Sequence, residues 1–483
     1  MRDETPILLW LRRDFRLSDH PMLSAAAASG RPVLALFILD PLAEAYGAAP
    51  KWRLEQALAA FAPALEACGV PLVLRRGPAL AVLRQVLAES GAGAVWWSRD
   101  LDPVAIARDT EVKTALRAEG FEARSFDGQL LFAPWAVQTG QGGPYRVYTP
   151  YWRAVRGLTV APPLAPVTAL RPGPVLRGES LSALGLDLAM RRGAAIVAKY
   201  ARVGEAAARA RLQRFLQDGI ETYQARRDFL AENATSELSE HLAWGEISPR
   251  AIWHAGAQAM AEGRAGAETF LKELVWREFA WHLMFYYPRL ATENWRPDWD
   301  SFPWAGESAA AERWRRGQTG EPIVDAAMRE MYVTGRMHNR ARMIVASYLT
   351  KHLLTDWRIG LAWFEDCLID HDPAANAMGW QWVAGCGPDA APYFRIFNPA
   401  SQAEKFDPEG RYRRAWLAEG NRHAPQTAQD FFAAVPRSWG LVPGAALSAP
   451  LIDLAAGRDR ALAAYAAWPK TGQTGAGAAT IAS

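Results

Sequence analysis

Four short, unbroken apolar runs constrain this chain more than any other feature: ILLWL (7–11), VLALFIL (33–39), PLVL (71–74) and AVWW (94–97). Between them lie HPMLSAAAA, KWRLEQALAAFAPALEA and ALAVLRQVLAES, all rich in helix formers. A strand that is apolar at every position must be covered on both faces, and intervening helices supply the cover. Residues 1–130 are therefore expected to form a doubly wound α/β domain with a parallel sheet. The segment has neither G-x-G-x-x-G nor G-x-x-x-x-G-K-[ST], so the fold alone assigns no ligand.

The pattern then changes. TVAPPLAPVTALRPGPVLRGES carries five prolines, which oppose both helix and central strand. It marks an extended connector between domains, placed at 131–199. From about residue 200 the apolar residues recur at three- and four-residue spacing, as in GAETFLKELVWREFAWHLMFYY. A mostly α-helical domain is expected over 200–470, with a flexible tail over 471–483, TGQTGAGAATIAS.

At 483 residues the chain exceeds one typical core. Its net charge of +3 permits a polyanion partner without arguing for one. Cys68, Cys367 and Cys386 are too scattered for a disulfide framework or a zinc site, so a reducing cytoplasm is the expected home and no metal is expected. The first apolar run is too short for a signal-peptide core. No eighteen apolar residues run together, so no membrane span is expected. The 21 tryptophans are unusual. Tryptophan fills cores, and it also offers flat faces on which bases and rings stack.

Four constellations can carry chemistry. Thr235, Ser236 and Ser239 cluster before an apolar helical stretch, as a phosphate cradle or as ordinary helix caps. Glu273 and Trp276 share a helical face, which suits a cavity wall holding a planar ligand; a core indole beside a surface acid is the commoner outcome. Asn339 and Met343 also share a face, pairing an amide with a soft thioether, either in a cavity or on a helix with one solvated side. Asp370 and Asp372 lie near Asn376 at a helix start, as acceptors for a heterocycle or as caps.

The order and length of these segments resemble the DNA photolyase/cryptochrome family over essentially the whole chain. LLWLRRDFRLSDHPML is similar to that family's opening strand and turn. TSELS, VWREF, GEPIVDAAMREMYVTGRMHNRARMIVASYLTK, GWQWVAGCGPDAAPYFRIFNP and KFDPEG are similar to its flavin domain. The closest likeness is to bacterial class I-type photolyases acting on cyclobutane pyrimidine dimers (CPDs).

The resemblance implies an α/β domain joined by a long connector to an all-α domain that binds FAD. Tyr223, Thr235, Ser236, Leu238 and Ser239 would hold the FAD ribose and phosphates. Asp370 and Asp372 would hydrogen-bond near the flavin, with Arg342 paired to Asp370, and Asn376 would face flavin N5. Trp380, Trp357 and Trp304 would form an electron-transfer chain. The implied activity is that of a carbon–carbon lyase: light-driven electron transfer from reduced FAD splits a dimer flipped out of UV-damaged DNA. Trp276 and Trp382 would grip the dimer, Glu273 and Asn339 would hydrogen-bond its edges, and Met343 would touch the rings. Arg340 and Arg227 would reach flanking phosphates, so DNA binding would weaken with salt.

Asn339 and Met343 stand where enzymes acting on the (6-4) photoproduct generally carry histidine, which favours the CPD. A cryptochrome-type photoreceptor is the alternative of another class. Glu237 and Arg336 depart from the family pattern. The Glu237 carboxylate is expected to point into solvent, since an acid beside a pyrophosphate is unfavourable. Val104, Ala105, Ala291 and Thr292 replace the residues of the usual folate site. A second, antenna chromophore therefore stays open among deazaflavin, FMN, folate or none. The chain is expected to act as a monomer.

Overall fold

The computed structural model describes residues 4–469, so the expected tail lies outside the described residues. Five strands form one sheet: β1 (Ile7–Leu11), β2 (Val33–Leu39), β3 (Leu72–Arg76), β4 (Ala94–Ser98) and β5 (Glu122–Phe126). Their order is β3-β2-β1-β4-β5 and every neighbouring pair is parallel. The register sets Ile7 beside Val33 on one side and Ala94 on the other.

Alternation along the strands builds two cores. Ile7, Leu9, Leu11, Val33, Ala35 and Phe37 face one layer, against Leu54, Leu58 and Phe61 of the helix Ala48–Ala67. Leu8, Trp10, Leu34, Leu36 and Ile38 face the other, against Val82, Leu83 and Val86 of the helix Ala79–Ser90. Both faces are buried, which is why β1 and β2 are apolar throughout. β5, with sequence EARSF, is an edge strand that buries only Ala123 and Phe126. It has no continuous apolar run, and the sequence reading missed it.

The connector divides its contacts. Its first part forms the helix Tyr148–Val155, whose Tyr148, Tyr151, Trp152 and Val155 join a core of the helical domain. Its proline-rich part follows the α/β domain: Val167 donates to Leu17 (3.1 Å), Leu170 to Cys68 (2.8 Å) and Glu179 to Leu74 (2.9 Å).

The helical domain has two cores. One gathers the helices Pro322–Thr334, Asn339–Ser347 and Trp357–Cys367 around Trp314, Met328, Tyr348 and Trp380. The other gathers the helices Pro249–Ala261 and Ala267–Tyr286 around Phe270, Val275 and Phe279. Buried charges bind the domains together: Arg53 of the α/β domain meets Glu246 (2.7 Å) and Glu240 (3.5 Å), all three with no solvent exposure. Among the described residues no helix is long and apolar enough to cross a membrane.

Candidate functional site

The seam between the two helical cores is spanned by one helix, Pro373–Ala384. Asp372 caps its start, accepting from the Ala375 N–H (2.9 Å), and Pro373 occupies its first turn. Gly385, at φ 91°, ends it in the left-handed region that glycine adopts without strain. Ala374 and Ala377 face the Phe279 core, whereas Trp380, Val383 and Ala384 face the Trp314 core. Asn376 and Trp382 lie half-buried between these faces. Gly379 is exposed, and a Cβ built on it would meet nothing within 4 Å. An interior glycine costs a helix about 1 kcal/mol against alanine, so open space beside it is space the protein's own packing does not use.

Trp380 is 2% exposed. Phe364 meets its ring edge-on at 4.9 Å and Trp314 at 6.1 Å. Its indole also lies on Gly360, three residues past Trp357 on the helix Trp357–Cys367. Trp357 is fully buried and donates its indole N–H to Asn294 (2.9 Å). Trp304 comes close to that helix start through a backbone bridge: Ala305 donates to Leu354 (2.7 Å) and Asp356 donates to Ala305 (2.9 Å). Three tryptophans far apart in sequence thus gather around one short stretch, Leu354 to Gly360.

The helix Ala267–Tyr286 presents Glu273 and Trp276, both half-buried. The helix Asn339–Ser347 presents exposed Asn339 and, four residues on, half-buried Met343. Trp276 packs on the Phe279 core, while Met343 and Trp382 pack on the Trp314 core, and the helices carrying Trp276 and Met343 both pack against the helix that carries Trp382. Both arginines expected at phosphates are already engaged. Arg227 pairs with Glu273, and Arg340 pairs with Asp228 at 2.7 Å while lying over the Phe406 ring. Desolvation explains the pairing: each arginine is partly buried, where a lone charge is costly.

On the helix that carries Met343, Arg342 donates to both oxygens of buried Asp370 (2.8 and 3.0 Å). The Asp372 carboxylate also accepts from the Trp281 indole N–H (2.9 Å), and Arg277 lies 3.5 Å from it. Tyr223 is buried under Arg227, whose guanidinium lies 5.5 Å from its ring centroid. Leu238 is buried; Thr235 and Ser236 are half-buried and Ser239 is exposed, and their hydroxyls donate no hydrogen bond to the described protein.

The Glu237 side chain is exposed, as expected, but it is not unpaired. Its carboxylate lies 3.4 Å from Arg336 and 3.6 Å from Arg211, and its own carbonyl accepts from Arg211 (2.7 Å). The main chain there has φ 51°, a left-handed turn that swings the side chain toward the arginines. Glu237 and Arg336, the two departures from the family pattern, are each other's partners.

The matches to known proteins agree with this architecture. Residues 7–169 match the family model described as DNA photolyase, and residues 270–467 match the FAD binding domain of DNA photolyase. The deoxyribodipyrimidine photo-lyase of Agrobacterium fabrum is 44% identical over 96% of this chain and 98% of that protein. The chain belongs to the DNA photolyase/cryptochrome family.

Other members mark its breadth. Arabidopsis thaliana cryptochrome-2 is 32% identical over 95% of this chain and 78% of that protein. The crystal structure of a class III photolyase from Agrobacterium tumefaciens superposes with a TM-score of 0.89 at 44% identity, covering 96% of this chain and 98% of that one. A photolyase from Sulfolobus tokodaii, solved with two FAD molecules, gives 0.78 at 28% identity, covering 96% and 100%. These matches do not support the class I-type expectation, since the neighbour at 44% identity is a class III enzyme.

The residues present fit the photolyase cofactor. The hydroxyls of Thr235, Ser236 and Ser239 are uncommitted, and the seam-spanning helix carries open space over Gly379 and a buried Trp380 indole N–H without a partner. Sequence reasoning missed Arg277, Glu278 and Trp281 around Asp372, and Tyr148 stacked on Trp276. The first three sit inside the quoted VWREF helix, but polar residues within an apolar helix give no sign of which way they point. Tyr148 lay in a connector with no helical signal.

Two further features bear on photolyase chemistry. His338 accepts from the Arg340 N–H through Nδ1 (3.1 Å), and burial lowers its pKa to about 4, so it is a neutral cap at neutral pH. The C-terminal ends of β1 and β2, where open α/β sheets hold ligands, enclose a cavity of only about 20 Å³. Arg12 paired with Asp109 and Arg108 paired with Asp40 help to fill that end (2.8 and 2.6 Å). A roomier cleft of about 530 Å³ opens between the connector and the helix Glu205–Arg214, and contains none of the candidate residues.

Proposed function

We propose that this chain repairs cyclobutane pyrimidine dimers in DNA under near-UV or blue light. The observation that carries the reading is the seam itself. Trp276 stands on one core and Trp382 and Met343 on the other, and the same three helices carry the acid Glu273 and the amides Asn376 and Asn339. Two indoles and a thioether suit the flat, apolar faces of a dimer, and amides suit its imide edges. His338, next to Asn339, is partly buried, neutral at neutral pH and used through Nδ1 as a cap, which speaks against a (6-4) photoproduct, whose repair needs a proton donor.

FAD held here in its reduced form would supply the light-excited electron that opens the dimer, with no net redox change. The chain's own residues do the rest. Thr235, Ser236, Leu238 and Ser239 would hold the phosphates, with Tyr223 beside the ribose. The Arg342–Asp370 pair and Asp372 would frame the ring, and Asn376 would present an uncharged amide to it, so that no fixed charge opposes an anionic flavin. Trp380, Trp357 and Trp304 would relay electrons inward from the surface. A dimer would have to leave the helix to enter, which costs least for damaged bases. On this reading the chain acts on DNA in the cytoplasm as a monomer; its three cysteines are free, as a reducing compartment keeps them.

The deciding experiment mixes the FAD-loaded, reduced protein with an oligonucleotide bearing one thymine dimer. Blue light should restore the intact thymines and darkness should not. The match to cryptochrome-2 favours a second reading, a photoreceptor. That protein would photoreduce its flavin and leave the dimer unchanged, an outcome that sinks the repair reading.

A further inference from the structure

Tyr148 lies in the connector, over a hundred residues from any side chain expected to touch the dimer itself. Its ring is face to face with Trp276: the centroids are 3.6 Å apart and the planes differ by 8°. Phe279 meets both rings edge-on at 5.9 Å and holds the pair from the side. Two hydrogen bonds fix the tyrosine. Its hydroxyl donates to the carbonyl of Lys272, one turn before Trp276 on the same helix (2.6 Å). Its backbone N–H donates to Asp389 (3.1 Å), a residue at φ 49° in the loop that follows the Trp382 helix.

An indole backed by a parallel ring has little freedom to rotate and leaves one face for a ligand. Fixing that face before binding removes an ordering cost from the binding step. We propose that Tyr148 is a positioning residue for lesion recognition. It sets the plane of Trp276 and, through Asp389, couples that plane to the loop beyond Trp382. This rests on the reading of Trp276 as a wall of the dimer cavity.

The test measures, in the dark, binding of the FAD-loaded chain to a thymine-dimer oligonucleotide and to its undamaged counterpart. Tyr148→Leu should lose about tenfold in affinity for the dimer, the scale of one aromatic pair. Binding to undamaged DNA, FAD content and melting should stay as in the wild type, and Tyr148→Phe, which keeps the flat ring, should restore dimer affinity. An equal loss on both oligonucleotides, or no loss, overturns the proposal. If Tyr148→Leu sheds FAD or melts early, Asp389→Ala decides. Dimer binding weaker by about threefold, roughly one lost hydrogen bond, supports the proposal, and unchanged binding overturns it. Trp276→Ala separates the two levels: unchanged dimer affinity in that variant removes the cavity reading itself, whereas its loss beside a normal Tyr148→Leu removes only the role of Tyr148.

Discussion

Gly360 and the Trp380 indole are in such close contact that a Cβ on the glycine would overlap Cη2, Cζ3 and Cζ2 of the ring. The glycine is part of a helix that begins at Trp357, so one missing side chain sets the approach of two tryptophans. Gly360→Ala should push the Trp380 ring off its seat at an overpacking cost of about 1–3 kcal/mol. Light-driven reduction of bound FAD should slow markedly, while repair by chemically reduced protein should change less. A wild-type photoreduction rate in a normally melting variant would contradict the proposed electron path.

The pair Arg340–Asp228 restrains a cation beside the seam. Asp228→Asn should release it toward phosphate. Damaged and undamaged DNA should then bind more tightly, with the salt dependence steeper by about one unit in the log–log slope. Titration at several salt concentrations reads this directly. An unchanged slope would show that Arg340 does not reach the backbone.

Arg336 and Glu237 give a paired test at the expected phosphate segment. Arg336→Met leaves the acid next to Ser236 with only the more distant Arg211, so FAD retention in dialysis should fall by about threefold. Glu237→Gln alone should change retention little, because Arg336 already neutralises the acid, whereas in the Arg336→Met background it should recover most of the loss. Additive effects would show that the two residues act independently.

Glu278 is fully buried, and desolvation raises its pKa from 4.5 to about 7, despite Arg277 nearby and N–H donors from Leu131 and Phe132. An acid with a raised folded pKa binds its proton more tightly when folded. Its contribution to stability is therefore present below 4.5 and is lost as pH rises toward about 7. Glu278→Gln keeps an acceptor for both N–H groups and has no proton to lose. Relative to the wild type it should gain up to about 3 kcal/mol between about pH 4.5 and pH 7 in denaturant melts. A constant difference across that range would place the titration elsewhere.

Much of the fold is legible in short segments. β1 and β2 coincide with their apolar runs, because burial on both faces demands an apolar side chain at every position. β5 escapes that logic, since an edge strand buries only part of one side. At the candidate site, the Asp372 cap is a local feature that four consecutive residues specify. The pairing of Arg227 with Glu273, of Glu237 with Arg336 and of Tyr148 with Trp276 has no local mark, because each joins segments at least 46 residues apart.

The sequence by itself determined where strands and helices lie, which ends are capped and which motifs tie the chain to its family. Those properties depend on residues within a turn or two of each other, where backbone geometry fixes the spacing. Only the tertiary structure decided which charges are neutralised and which indole has a ring behind it. Desolvation sets those partners, and a group is desolvated only when distant segments close over it.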